Sequence, residues 1–150
     1  MAQNTTALRQ AFETQLLTVP TITTANLQKE NQPENFAAIQ NLNTKVIVRM
    51  TLRPAFTTLM TVGIGSVVKT SGLMVIDVMG ALNQGYALVT GIVDQILAAF
   101  PTGTRLTLST GDTAIINVAS PTGGGSQAAW ESNKIYAGTL TISYFLYTNP

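Results

Sequence analysis

Apolar positions recur along the chain with two different periods, and the change of period marks out the elements. From Asn4 to Val19 the apolar residues Leu8, Phe12, Leu16 and Val19 recur at helical spacing. Asn4 is placed to cap the start of that helix, and Pro20 ends it. The next stretch, "TITTANLQKENQPENFAAIQNLNTK", has no sustained period and is rich in Asn, Gln and Thr. It reads as a long connection with a short strand near Ile22. A connection of that length inside a domain is either functional or packed on a neighbour.

Alternation then takes over. Between Lys45 and Arg53, Val46, Val48, Met50 and Leu52 fall on one side, and Lys45, Ile47, Arg49, Thr51 and Arg53 on the other. Pro54 is expected to interrupt this strand, and Phe56 to Val62 to form a second extended stretch. Gly63 and Gly65 suit a turn or bulge. The segment "SVVKTSGLMVIDVMG" reads as a hairpin with Thr70, Ser71 and Gly72 at its tip. Leu73 to Met79 is apolar on both faces apart from Asp77, as a central strand would be.

Helical spacing returns from Asn83 to Phe100. Tyr86, Val89, Val93, Ile96, Leu97 and Phe100 form a stripe that Leu88 and Ile92 widen. Pro101 and Gly103 stop it. A strand is expected over Thr113 to Ala119, then a glycine-rich loop from Ser120 to Lys134. The last strand runs from Ile135 to Tyr147, with Leu140, Ile142, Tyr144 and Leu146 alternating against Thr139, Thr141, Ser143 and Phe145. The expected fold class is α+β: a single domain over residues 1–150, with two main helices packed on a largely antiparallel or mixed sheet, long loops and a β-hairpin arm.

Composition narrows the chemistry. Charged residues make up 10% of the 150, against about 25% in an average soluble chain. Such a surface relies on Thr, Ser, Asn and Gln, or is covered by partners. The net charge of +1 gives no overall field toward nucleic acid or anionic membrane. With no cysteine there is no disulfide framework and no thiol nucleophile. With no histidine, the commonest general base and the commonest transition-metal ligand are both missing. The seven carboxylates are scattered, without the spacing of a metal loop. No metal site is expected from these residues, and an enzyme would have to work with unusual tools. The polar N-terminus, with Arg9 and Glu13, lacks the apolar run of a secretory signal. "YALVTGIVDQILAAF" is too short to span a bilayer. An intracellular, non-membrane protein is expected.

Four features invite a chemical reading. Gly123, Gly124 and Gly125 form the core of "SPTGGGSQAAW". A phosphate cradle needs a following helix and usually a lysine, and neither is present. A slack strand-to-strand connection, or a loop ordered by a neighbour with Trp130 as anchor, fits better. Gly63-Ile64-Gly65-Ser66 lacks the third glycine and the helix of a dinucleotide site. Lys45, Arg49 and Arg53 place three of the eight positive charges on one strand face. They suit a solvated face paired with nearby carboxylates, or an electrostatic contact across a subunit boundary or with passing DNA. Asp77, inside an apolar strand, needs a partner or an edge position.

The sequence of an N-terminal helix, "ENQPENF", "KVIVRMTLRP", "GLMVIDVMG", "GYALVTGIVDQILAAF", a glycine-containing loop and "LTISYFLY" resembles the tail terminator proteins of long-tailed bacteriophages, the lambda-type minor tail protein family. The likeness runs from about Leu8 to Tyr147. It implies a structural virion protein without catalytic residues or cofactor. Such proteins form a hexameric ring that caps the tail tube, stops its polymerisation and offers a surface to the head-completion, or neck, proteins. The implied partners are further copies of the chain, the tail-tube protein and the neck protein, with genomic DNA only passing through the lumen and no membrane. The implied place is the head-proximal end of the virion tail, assembled in the host cytoplasm.

Candidate contacts are Asn31 and Phe36 in the Gln28–Phe36 stretch, Phe56, Met60 and Ile64 in the Phe56–Val68 arm, and Gly123, Gly124, Gly125, Trp130 and Lys134 in the glycine loop. Two alternatives stay open. A tail-tube or neck ring protein would appear as stacked tubes or as other neck rings. A small ligand-binding module or an enzyme would be a monomer whose melting temperature rises with ligand.

Overall fold

The computed structural model describes residues 5–23, 27–28, 46–59, 67–81, 87–128 and 134–148. Among the described residues two helices, α1 (Thr5–Leu16) and α2 (Ala87–Ala99), accompany six strands: β1 (Leu27–Gln28), β2 (Ile47–Leu59), β3 (Val68–Ala81), β4 (Arg105–Thr107), β5 (Thr113–Ala128) and β6 (Lys134–Thr148). They form one sheet in the order β1-β2-β3-β6-β5-β4. All neighbours are antiparallel except β1, which lies parallel to β2 through Leu27 and Gln28 against Val48 and Arg49.

The expected α+β class, with two helices packed on a sheet, is not what the chain adopts. The structure is mostly β: a curled, five-stranded antiparallel half-barrel with two helices. The difference lies in strand length. β2, β3, β5 and β6 run for 13, 14, 16 and 15 residues, against 12 and 13 for the helices. Strands this long carry enough right-handed twist to coil the sheet on itself.

Three local expectations are corrected with it. Pro54 does not end its strand. It pairs with Gly72 and the register slips between Pro54 and Phe56, so a bulge absorbs the missing N–H and β2 continues to Leu59. Thr70, Ser71 and Gly72 are not a hairpin tip but sit inside β3, paired with Leu146, Phe145 and Tyr144 of β6. Gly123, Gly124 and Gly125 are not a loop either. They continue β5 and pair with Thr139, Gly138 and Ala137. The short strand of the first connection is at Leu27–Gln28 rather than Ile22, and β4 was not expected at all.

The apolar alternation does define the buried face. Val46, Val48, Met50 and Leu52, then Met74, Ile76 and Val78, then Leu140, Ile142, Tyr144 and Leu146 all belong to one core cluster. The helices feed the same cluster. Leu8, Phe12 and Leu16 come from α1, Val89, Ile92, Val93 and Ile96 from α2, and Phe100 from just beyond it. An aromatic trio joins the layers. Phe12 stacks on Phe100 with centroids 5.8 Å apart and meets Tyr144 edge-on at 5.5 Å.

Two glycines bring α2 close to the strands. A Cβ at Gly80 would lie 2.9 Å from Val89 Cγ2, and one at Gly138 would lie 3.0 Å from Val93 Cγ2. Gly72 has the same kind of reason on the other side of the core. A Cβ there would lie 2.7 Å from Cζ of Tyr144, whose ring covers the glycine across the β3–β6 pair.

Candidate assembly surface

Both helices contribute to the core on one side of the curled sheet; on the opposite, bare face, which carries no helix among the described residues, the pairing register places the residues in rows. One row runs Arg49–Asp77–Thr139–Gly123, the next Thr51–Val75–Thr141–Ser120, the next Arg53–Leu73–Ser143–Val118. Further along come Ser71–Phe145–Ile115 and Lys69–Tyr147–Thr113.

The first row is a polar network. Nη2 of Arg49 donates to Oδ2 of Asp77 at 3.1 Å, and the Thr139 hydroxyl donates to Oδ1 of the same carboxylate at 2.8 Å. This answers what the carboxylate does inside an apolar strand: it ties β2 to β3 and β6 and fixes their register. Arg49 is therefore engaged within its own chain, while Arg53 is exposed.

In the third row the Ser143 hydroxyl accepts from the Val118 N–H at 3.1 Å and donates to the Val118 carbonyl at 3.2 Å. It thereby bridges the register slip between Ile116 and Val118. Leu73 and Val118 flank Ser143 with 39% and 50% of their surface exposed, and Tyr147 shows 38%. The Lys69 ammonium sits 3.8 Å over the Phe145 ring. Among the described residues the bare face is thus a surface of Thr and Ser that carries the Arg49–Asp77 pair, Arg53, Lys69 and three exposed large apolar side chains, Leu73, Val118 and Tyr147.

The sheet ends unevenly. Among the described residues β1 pairs with β2 at Val48 and Arg49. β4 covers β5 only at Thr113 to Ile115, and Ile116 exchanges backbone bonds with Gly103 and Thr104. Among the described residues, Asn117–Ala128 of β5 has no strand on its outer side. Both of these flanking strands contain a proline at a register slip, Pro54 and Pro121, and the central strands β3 and β6 contain none. That is the pattern of strand edges guarded against indiscriminate pairing.

A groove of about 420 Å³ lies between α1 and β4, lined by Gln10, Thr14, Gln15, Arg105, Thr107 and Ser109 among others. Arg105 is the one ionisable side chain along it, so it assembles no acid–base pair. Among the described residues no group of three or more His, Cys, Asp or Glu is placed to hold a metal, and no helix is long and apolar enough to cross a membrane. Among the described residues the one strongly perturbed titratable group is Tyr144, pushed up to about 12 by burial in the core.

Of the candidate contacts, Phe56 lies in β2 just past the Pro54 slip, Gly123, Gly124 and Gly125 lie in the free half of β5, and Lys134 opens β6 opposite Ala128. Asn31, Phe36, Met60, Ile64, Trp130 and Lys45 lie outside the described residues. Leu73, Val118 and Tyr147 were not among the candidates. The alternation of β6 assigns Tyr147 to the face opposite Tyr144, so that signal was present. Val118 was hidden because the Asn117 bulge resets the alternation.

The family model described as "Phage tail terminator protein" matches residues 7–144. No curated protein matches the chain. Two solved structures share the fold. One has a TM-score of 0.69 at 17% identity, covering 99% of both chains. The other comes from the virion of a native gene transfer agent particle, with a TM-score of 0.54 at 14% identity, covering 97% of this chain and 99% of that one.

Proposed function

The chain belongs to the phage tail terminator protein family, and from that premise we propose that it closes into a ring on the head-proximal end of the tail tube. It is a structural component of a phage virion. In the proposed role the ring blocks further addition of tube subunits and presents a surface to the head-completion proteins. DNA passes through its lumen without being chemically altered. The tail-tube protein and further copies of the chain are its direct partners.

The observation that carries this reading is the one-sided sheet. The buried face shares one core with residues of both helices, whereas the bare face and the outer edge of β5 are covered by nothing among the described residues. An interface core prefers partly apolar surface, and the exposed Leu73, Val118 and Tyr147 supply it. A catalytic role has no comparable support, because the α1–β4 groove gathers one arginine and no base.

The experiment is to add the purified chain to tail-tube subunits during polymerisation and examine the products by negative-stain electron microscopy. Tubes should be capped at one end and stop growing, and the chain alone or on tubes should show closed rings. Unchanged tube length with no density at either end would refute the role. Long stacked tubes built from the chain itself would favour a tube subunit instead.

A further inference from the structure

We infer that the groove between α1 and β4 takes an extended acidic segment of another protein, which pairs as a strand with the outer edge of β4 and sets a carboxylate against Arg105. This docking does not depend on closure of a ring.

The backbone of β4 supplies the edge. The Thr104 carbonyl accepts from the Ile116 N–H at 2.9 Å, and the Leu108 N–H donates to the Asp112 carbonyl at 2.9 Å. Leu106 lies between them, opposite Ala114. In an antiparallel ladder every second residue bonds toward its partner strand. Thr104, Leu106 and Leu108 therefore face β5. Arg105 and Thr107 direct their N–H and C=O groups the other way. β4 is the last strand of the sheet, so among the described residues no strand lies beside them.

The space beyond that edge has the dimensions of a strand. Its far wall is α1, where Ala7 and Ala11 lie one turn apart and keep the wall low. A strand residue takes a rise of about 3.3 Å, a width of about 4.8 Å and a layer about 10 Å deep. A groove of about 420 Å³ thus suits roughly three such residues, the length of β4 itself. Strand addition to an exposed edge gains its affinity from main-chain bonds and its specificity from the side chains that alternate along the added strand.

Charge selects the segment. Arg105 is exposed, and no carboxylate lines the groove. The residue paired opposite Arg105 shares its face of the sheet, so an Asp or Glu there meets the guanidinium. The residue opposite Leu106 points to the other face and must be small enough to pass Ala7 and Ala11. The described residues of this chain offer no such segment. Glu13 and Asp94 are on helices, Asp77 is ion-paired inside β3, and Asp112 is in the turn between β4 and β5. The donor is therefore assigned to a different protein.

The probe is the capped peptide acetyl-Thr-Thr-Val-Glu-Thr-amide, titrated into the full chain and followed through its amide resonances. The Arg105 and Thr107 amides should shift saturably and exchange more slowly, with those of β3 unmoved. The same peptide with Lys in place of Glu should bind more weakly. Arg105→Glu should reverse that preference, by roughly threefold or more in each direction. Thr107→Pro removes an outward N–H and no bond to β5, so it should melt close to the parent while losing the peptide. Three results would overturn the inference: no shift at Arg105 and Thr107, equal binding of both peptides, or undiminished binding by Thr107→Pro. Amides of Arg105 and Thr107 that are already protected in the dilute chain would show the edge filled by the chain itself. Protection that appears only as the chain is concentrated, without peptide, would assign the edge to a second copy. Either outcome would overturn the choice of partner, and each leaves the capping test of the tail tube unaffected.

Discussion

The two faces of the same sheet are built for opposite purposes. On the packed face almost every position is constrained by a non-local neighbour: Gly72 by the Tyr144 ring, Gly80 and Gly138 by valines of α2, Phe12 by two other aromatics. On the bare face the neighbours are threonines, serines, one ion pair and a few exposed apolar side chains. The packed face holds the subunit together, and the bare face with its edges is free to be shaped by something outside the subunit. Substitutions should separate these roles, with large stability losses on one side and assembly losses on the other.

The largest effect is expected at Phe12, which is fully buried and contacts both Phe100 and Tyr144. Phe12→Ala should cost about 3–5 kcal/mol in chemical denaturation. A loss below about 1 kcal/mol would mean that the aromatic trio does not hold α1 to the sheet.

Gly72→Ala comes next. Its Cβ would sit 2.7 Å from Tyr144 Cζ, so the ring has to move, and overpacking of this kind costs about 1–3 kcal/mol. Thermal melting that matches the parent would show that Tyr144 has room to yield.

Tyr144 itself offers a test through pH. Its hydroxyl is buried with no hydrogen-bond partner among the described residues, and burial pushes its pKa from 10.0 up to about 12. The folded state thus holds the proton more tightly than the unfolded state does. The associated stability is complete below pH 10 and is lost as pH rises from 10 through 12. Tyr144→Phe should flatten that alkaline loss, and near neutral pH it should leave stability level or slightly raised. An alkaline limb equally steep in the variant would assign the loss to other groups.

The smallest stability effects belong to the bare face. Asp77→Asn weakens one part-exposed ion pair and one hydrogen bond, for about 1 kcal/mol or less. Val118→Asp should change melting by no more than about 0.5 kcal/mol, since half of the side chain already faces solvent. It should nonetheless reduce ring formation sharply, because it puts a charge among the exposed apolar side chains of the bare face. Intact assembly in that variant, measured by light scattering, would remove Val118 from any interface.

Legibility in the sequence follows the same division. The alternation in Val46–Leu52 and Leu140–Leu146 and the helical stripes of Leu8–Leu16 and Val89–Phe100 identified the buried face, because burial leaves a local period. The failures came where the reason is non-local. Glycine is depleted in strands, so Gly123–Gly125 read as a loop. Only their pairing with Thr139, Gly138 and Ala137 makes them strand. Gly72 read as a turn because its actual reason, the Tyr144 ring, sits on a strand more than seventy residues later in the chain. Pro54 read as a stop because a bulge is invisible without its partner strand. These errors shortened three strands and produced the helix-on-sheet expectation.

One corrected expectation changes an experiment. As a loop, Gly123–Gly125 could be deleted without harm to the subunit. As part of β5, its removal shifts the register of every residue up to Ala128, and subunit stability should fall along with assembly.

The central claim is that the bare face and the free edge of β5 exist to be covered by other copies. Light scattering coupled to size-exclusion chromatography, on the full chain at micromolar concentration with and without isolated tail tubes, tests it most directly. A single closed oligomer of fixed mass, alone or bound to the tubes, is the predicted result. A monomer that elutes unchanged and apart from the tubes would contradict it.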